Sequence, residues 1–80
     1  MKTYSVYVLW SEKLKKRYTG CSKDVDNRIK EHNAGKQRST RGGIPWDLIY
    51  VENFNTLSEA RKRENYLKSR SGRRFLDKMM

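Results

Sequence analysis

Eighty residues with 19 Lys plus Arg against 9 Asp plus Glu carry a formal charge of +10; the length suits a single domain, residues 1–80, and the charge favours a polyanionic partner, nucleic acid, whose counterions are released on binding. Cys21 is the lone cysteine, which excludes an internal disulfide, and one Cys with one His excludes the usual four-ligand zinc site. No stretch approaches the ~20 apolar residues that span a membrane, and Met1-Lys2-Thr3-Tyr4 opens no leader-like segment, so no membrane partner and a cytoplasmic, bacterial-type location are expected.

Tyr4 to Trp10 reads as a strand, apolar on both faces and therefore central. Ser11 to Lys16 is a polar, basic tip, and Arg17 to Cys21 resumes as a short second strand that Gly20 ends. A helix follows, capped by Ser22 or Asp24 and stopped by Asn33-Ala34-Gly35. Val25, Ile29 and His32 share one stripe of it with Arg28. Lys36 to Gly43 reads as a flexible basic loop containing Arg38 and Arg41. Trp46 to Phe54, after Pro45, is a third strand with apolar groups on both faces. Thr56-Leu57-Ser58-Glu59 is a capping box for a second helix to about Arg70, with Leu57, Ala60, Glu64 and Leu67 on its stripe. Ser71 or Gly72 is expected to break the chain before a last helix, Arg73 to Met80, packed through Phe75, Leu76 and Met79. The order β-β-α-β-α-α predicts an α/β (α+β) fold: a small three-stranded, mostly antiparallel sheet flanked by helices.

Charges on apolar stripes carry a cost of about 1–3 kcal/mol each unless something pairs with them. Arg28 and His32 intrude on the first helix and Glu64 on the second. If both stripes face the sheet, these groups meet, either as a structural Arg28–Glu64 ion pair with a satisfied histidine or as a working site. Tyr7 and Tyr18 stand on neighbouring strands and are expected side by side. A phenol accepts a proton or orients a water once a nearby cation lowers its pKa. Gly20 lets a backbone or substrate come close.

Ser5-Val6-Tyr7 followed by Tyr18-Thr19-Gly20 resembles the paired motifs of the GIY-YIG nuclease superfamily, with 11 residues from tyrosine to tyrosine. Arg28 falls on the next helix and Glu64 on the helix after the third strand, in that family's order. The stretches Arg28-Ile29-Lys30-Glu31-His32-Asn33-Ala34-Gly35-Lys36 and Ser58-Glu59-Ala60-Arg61-Lys62-Arg63-Glu64 are similar to its short, single-domain bacterial branch. The resemblance implies a phosphodiester hydrolase using one divalent metal, Mg²⁺ or Mn²⁺. In that reading Glu64 is the metal ligand, Tyr7 or Tyr18 activates the attacking water, Arg28 neutralises the phosphate, and His32 holds a tyrosine hydroxyl or donates to the phosphate. Some relatives in that family carry a lysine where this chain has Cys21, and some an asparagine where it has Leu76.

Three basic groups read as phosphate contacts: Lys13-Lys15-Lys16-Arg17, Lys36-Arg38-Arg41 and Arg70-Arg73-Arg74. Expected at the substrate are Lys16, Arg17, Gly20, Lys23, Arg38 and Arg41, whereas Arg61, Lys62 and Arg63 read as a solvated helix face. The function expected is an endonuclease with DNA favoured over RNA and little sequence preference. Any selectivity would come from DNA shape or strand discontinuity, in repair or recombination, with a monomer or weak dimer as the working form. The alternatives are a nucleic-acid-binding module of the same fold without efficient cleavage, and a basic protein bound structurally to RNA or ribosomes.

Overall fold

A computed structural model describes residues 3–79; Met1, Lys2 and Met80, which the sequence reading included in its first segment and last helix, lie outside the described residues. The elements are β1 (Tyr4–Ser11), β2 (Lys16–Ser22), α1 (Val25–Asn33), a short 3₁₀ turn (Arg41–Gly43), β3 (Trp46–Phe54), α2 (Leu57–Lys68) and α3 (Arg70–Met79). The α+β fold is as expected, and the sheet is antiparallel throughout, in the order β2-β1-β3. β1 is central because alternate residues serve two cores. Val6 and Val8 pack with Ala60, Leu67 and Leu76 of α2 and α3. Tyr7 and Leu9 pack with Trp46 and with Tyr18, Val25, Ile29 and Ile44, on the side of α1.

Several boundaries differ from expectation for identifiable reasons. Gly20 does not end β2; it sits mid-strand, directly opposite Tyr7. Cys21 lies within β2, which runs on to Ser22. The two tyrosines are not paired directly either: Tyr18 faces Leu9, and the rings meet on the diagonal at 6.3 Å. β3 is an edge strand with a register irregularity against β1 between Val8 and Leu9, and Leu48 and Val51 lie exposed rather than buried on a second face.

Asp24 caps α1, accepting from the Asn27 N–H at 3.1 Å, and Gly35 leaves the helix at φ 76°. Thr56 caps α2, accepting from the Glu59 N–H at 3.2 Å, while the Glu59 carboxylate accepts from the Thr56 hydroxyl at 2.9 Å. Leu57, expected on the buried stripe of α2, is exposed, as is Met79 on α3. The break between α2 and α3 falls at Ser69, not at Ser71 or Gly72. The Ser69 hydroxyl accepts from the Gly72 N–H at 3.3 Å and so caps α3, which starts at Arg70. Gly72 lies inside α3 because the chain packs against the end of α2: a Cβ there would overlap the Tyr66 carbonyl and Leu67 Cα. Arg63 is not part of a solvated face. Its Nε donates to Glu52 at 2.9 Å and its guanidinium lies over the Tyr66 and Phe75 rings. Among the described residues, no helix is long and apolar enough to cross a membrane.

Candidate active site

The site begins with an absent side chain. Tyr7 points from the central strand across its neighbour, and a Cβ at position 20 would lie 2.5 Å from the Tyr7 Oη. Only glycine lets the ring lie there. The Tyr7 hydroxyl then lies 3.3 Å from His32 Nε2, and both residues are completely buried. Tyr18 closes the cluster, with its ring edge-on to His32 at 4.8 Å between centroids.

His32 is fixed from its other side. Its Nδ1 lies 2.9 Å from the Thr40 hydroxyl oxygen. That hydroxyl donates to the Gln37 carbonyl at 3.4 Å, so it presents lone pairs to the imidazole. Nδ1 therefore carries the proton and Nε2 accepts from the Tyr7 O–H. Burial, with the nearby Arg28 charge, holds the His32 pKa below its ordinary value of 6.5, in favour of this neutral form. Thr40 is itself buried and tied down: its carbonyl accepts from the Trp46 indole N–H at 2.7 Å. The 36–43 segment is thus not merely a flexible connection. Its Gly43 carbonyl also accepts from Ser11 at 2.7 Å, because the segment must hold Thr40 against the core.

Arg28 and Glu64 do not form the structural ion pair that was one reading of the stripes. Arg28 Nη1 donates to Glu31 at 3.2 Å. With its amide oxygen turned toward the cation, Gln37 accepts from both terminal nitrogens of Arg28, at 3.2 and 3.3 Å. Glu64 pairs with Lys68 one turn on, at 2.8 Å, and its side chain is only 14% exposed. Both charges nevertheless act on the same phenol. Burial raises the Tyr7 pKa above 10.0, the neighbouring Tyr18 and Glu64 add to that, and the Arg28 guanidinium opposes it. The cation therefore does not bring Tyr7 below its ordinary pKa, as the sequence reading had it; desolvation wins, and the resting phenol is protonated. Burial likewise pushes the Cys21 thiol up, with Glu64 adding to it, so Cys21 is not an activated nucleophile.

Glu64 lies on α2, held by Lys68, and its charge adds to the raised Tyr7 pKa. Among the described residues, no three His, Cys, Asp or Glu side chains cluster as a ligand set. One largely shielded carboxylate fits an ion that keeps most of its waters and takes oxygens from a phosphate, as Mg²⁺ does, and does not fit a dedicated multi-ligand cage.

The remaining expected substrate contacts disperse. Arg17 is held by Asp77 at 2.6 Å, Arg41 Nε donates to the Gly35 carbonyl at 3.1 Å, and the Lys23 ammonium lies 5.3 Å from the centre of the Tyr4 ring. Lys16 and Arg38 are exposed. Thr40 and Gln37 went unread in the sequence. Both lie in an aperiodic loop, where no stripe or motif marks a residue that works through the side chain of another.

A family model described as the GIY-YIG catalytic domain matches residues 3–77. A UPF0213 protein of Haloquadratum walsbyi is 47% identical over 53 residues, 65% of this chain and 60% of that protein. One from Staphylococcus saprophyticus is 43% identical over 60 residues, 74% of this chain and 73% of its own length. The UPF0213 protein of Bacillus halodurans, a solution NMR structure, is similar with a TM-score of 0.59 at 35% identity, covering 96% of this chain and 84% of that one. The match thus spans less than two thirds of the Haloquadratum relative.

Proposed function

The chain belongs to the GIY-YIG catalytic-domain family, and from that premise we propose that residues 1–80 act as a metal-dependent endonuclease that hydrolyses phosphodiester bonds, in DNA before RNA. The observation that carries this reading is the buried Tyr7–His32 hydrogen bond. Tyr7 is the tyrosine that handles the proton, because its hydroxyl is the one bonded to an imidazole nitrogen with a free lone pair. Tyr18 packs against His32 and keeps it in place.

The proton path follows from the tautomer. Tyr7 and His32 are fully buried, so substrate binding must first open the cluster to a water; that water then gives a proton to the Tyr7 oxygen as Tyr7 passes its own to His32 Nε2. The hydroxide forms a bond to phosphorus, and the bond to the leaving oxygen breaks. Charge growing on the phosphate oxygens is met by Arg28, whose guanidinium is held by Glu31 and Gln37. A divalent ion at Glu64, Mg²⁺ or Mn²⁺, would supply further positive charge at the phosphate and the leaving oxygen. The role in the cell that suits such a domain is cutting of DNA at structural discontinuities during repair or recombination.

A second reading has one observation in its favour. The Glu64 carboxylate is bonded to Lys68, which competes with a metal for it. On that reading the domain binds nucleic acid and cuts it inefficiently. The test is incubation with plain duplex, flapped, branched and single-stranded DNA in Mg²⁺ and in Mn²⁺, beside Glu64→Ala and Arg28→Ala. Cleavage by the wild type, lost in both variants while binding persists, supports the nuclease. Binding without cleavage by the wild type overturns it.

A further inference from the structure

Two of the basic groups, more than 50 residues apart in sequence, meet across one cleft of about 600 Å³. Its cations are Lys15, Lys16 and Arg17 from the hairpin, Lys68 from α2 and Arg73 from α3. Leu67 and Leu76 give it an apolar floor, and Trp10 an aromatic wall. Leu67 and Leu76 belong to the core shared by Val6 and Val8, so the cleft lies on the sheet face opposite the Tyr7–His32 cluster.

Lys15, Arg17 and Lys68 have acidic neighbours in Glu12, Asp77 and Glu64. Lys16 and Arg73 have no acidic partner among the described residues. Among the described residues, no carboxylate lines the cleft. A concave site with unneutralised cations at the rim, an indole on one wall and leucines beneath has the chemistry of a nucleotide subsite. Phosphates meet the cations, and a base lies on the ring above the apolar floor. The volume falls in the range of roughly 300–1,000 Å³ that encloses a small organic ligand, far too small to admit a duplex. A base that enters must be unpaired.

We propose that this cleft binds an unpaired nucleotide of the substrate, so that the strand cut by the domain is single-stranded or flapped next to the site. The proposal deepens the nuclease reading and rests on it only for what happens after binding. Two residues join cleft and site. Tyr18 borders the cleft while its ring packs on His32, and Lys68 lines the cleft while its ammonium holds Glu64. A strand seated in the cleft therefore lies beside β2 and within reach of the cation that pairs with the candidate metal ligand.

The test uses the whole chain without divalent metal, so that cleavage plays no part. Pentathymidylate (dT5), pentauridylate and a short blunt DNA duplex are titrated against ¹⁵N-labelled protein, and the two tryptophan indole N–H signals are followed. Trp10 is expected to shift with dT5 while Trp46, which is buried, stays still. The duplex is expected to leave the Trp10 signal in place, and comparison with pentauridylate tells DNA from RNA. Trp10→Leu and Arg73→Ala are each expected to weaken dT5 binding about 5- to 100-fold, and Trp10→Phe to restore most of it. Arg73 is exposed, so its variant keeps the test open if Trp10→Leu does not fold. A Trp10 signal unmoved by dT5, or moved equally by the duplex, overturns the proposal even if the protein cuts DNA. Normal dT5 binding in a protein that never cuts leaves the cleft standing and removes the nuclease reading.

Discussion

Thr40 fixes the proton on His32: its hydroxyl oxygen lies 2.9 Å from Nδ1 and donates to the Gln37 carbonyl, which leaves Nε2 free to accept from Tyr7. The phenol thereby has a route for its proton that its own raised pKa does not provide. Replacing Thr40 by Val keeps the shape and removes the acceptor. The buried Nδ1–H is then unsatisfied, at a cost of about 1–3 kcal/mol of stability. The imidazole is expected to shift toward the Nε2–H tautomer, read directly from its ¹⁵N chemical shifts. Cleavage is expected to fall with it, and Thr40→Ser to restore both signals. An unchanged tautomer in Thr40→Val removes this role.

Gly20 is the position where the smallest change should do most harm. A methyl group there meets the Tyr7 hydroxyl and Cζ at 2.5 and 2.7 Å, so the ring must move. Gly20→Ala is expected to cost about 1–3 kcal/mol through overpacking. The loss of cleavage should be much larger than that loss of stability suggests, because the Tyr7–His32 contact is what moves. Melting temperature and single-turnover cleavage, measured together, separate the two. Wild-type cleavage in a folded Gly20→Ala protein contradicts the placement of Tyr7.

These two residues mark the boundary of what the sequence expressed. The fold was legible because β1 is apolar on both faces, which only a central strand needs, and because Asp24 and Thr56 are capping residues at the head of periodic segments. Tyr7, Tyr18, Arg28, His32 and Glu64 were legible as motif residues and as polar intruders on stripes. Gly20 was legible as a point of close approach but not as a mid-strand residue, since a glycine in a strand has the same local signature whether it stops the strand or admits a ring from the next one. Thr40 and Gln37 had no local signature at all. The α2–α3 break is expected at Ser71 or Gly72. The chain turns instead at Ser69, which caps α3, and needs Gly72 for a close helix contact.

That contact gives a stability prediction independent of the active site. A Cβ at position 72 overlaps the Tyr66 carbonyl and Leu67 Cα, and lies 2.7 Å from the Tyr66 carbonyl carbon. These are backbone atoms, which have no rotamer to yield. Gly72→Ala is expected to unfold much of the population or to detach α3, despite alanine's higher helix propensity. Gly42→Ala is the control, because a Cβ there meets nothing within 4 Å. Far-ultraviolet dichroism and thermal melts of the two variants decide it. A Gly72→Ala protein as stable as Gly42→Ala contradicts the α2–α3 packing.

The Arg28 side chain should matter through geometry as well as charge. Glu31 and Gln37 hold it by separate contacts, so the guanidinium plane is set before substrate arrives. Arg28→Lys keeps the charge and loses the fork. Its expected effect is a fall of about 10²–10³-fold in the rate of the chemical step, with DNA affinity little changed. Gln37→Leu is expected to give a smaller loss in the same direction. If Arg28→Lys cleaves like the wild type, charge alone suffices and the two anchors are structural.

His32 also makes stability and activity depend on pH in the same sense. Its folded pKa lies below the ordinary 6.5, burial being the main cause and the Arg28 charge the second, with Glu31 opposing. The unfolded chain takes up the proton near 6.5 and the folded chain resists it. The contribution of neutral His32 to stability is therefore complete above that pH and is lost as pH falls from there through the depressed folded value. Over the same window Nε2 becomes protonated and can no longer accept from Tyr7, so cleavage is expected to fall too. Melting temperature against pH is expected to drop on the acid side in the wild type and to flatten there in His32→Gln. That variant removes the titrating group but keeps a polar side chain at the buried position. A wild-type melting curve that is level from pH 7 down to pH 5 would mean that the imidazole is not held neutral by the fold, and the Tyr7-to-His32 proton path would lose its acceptor.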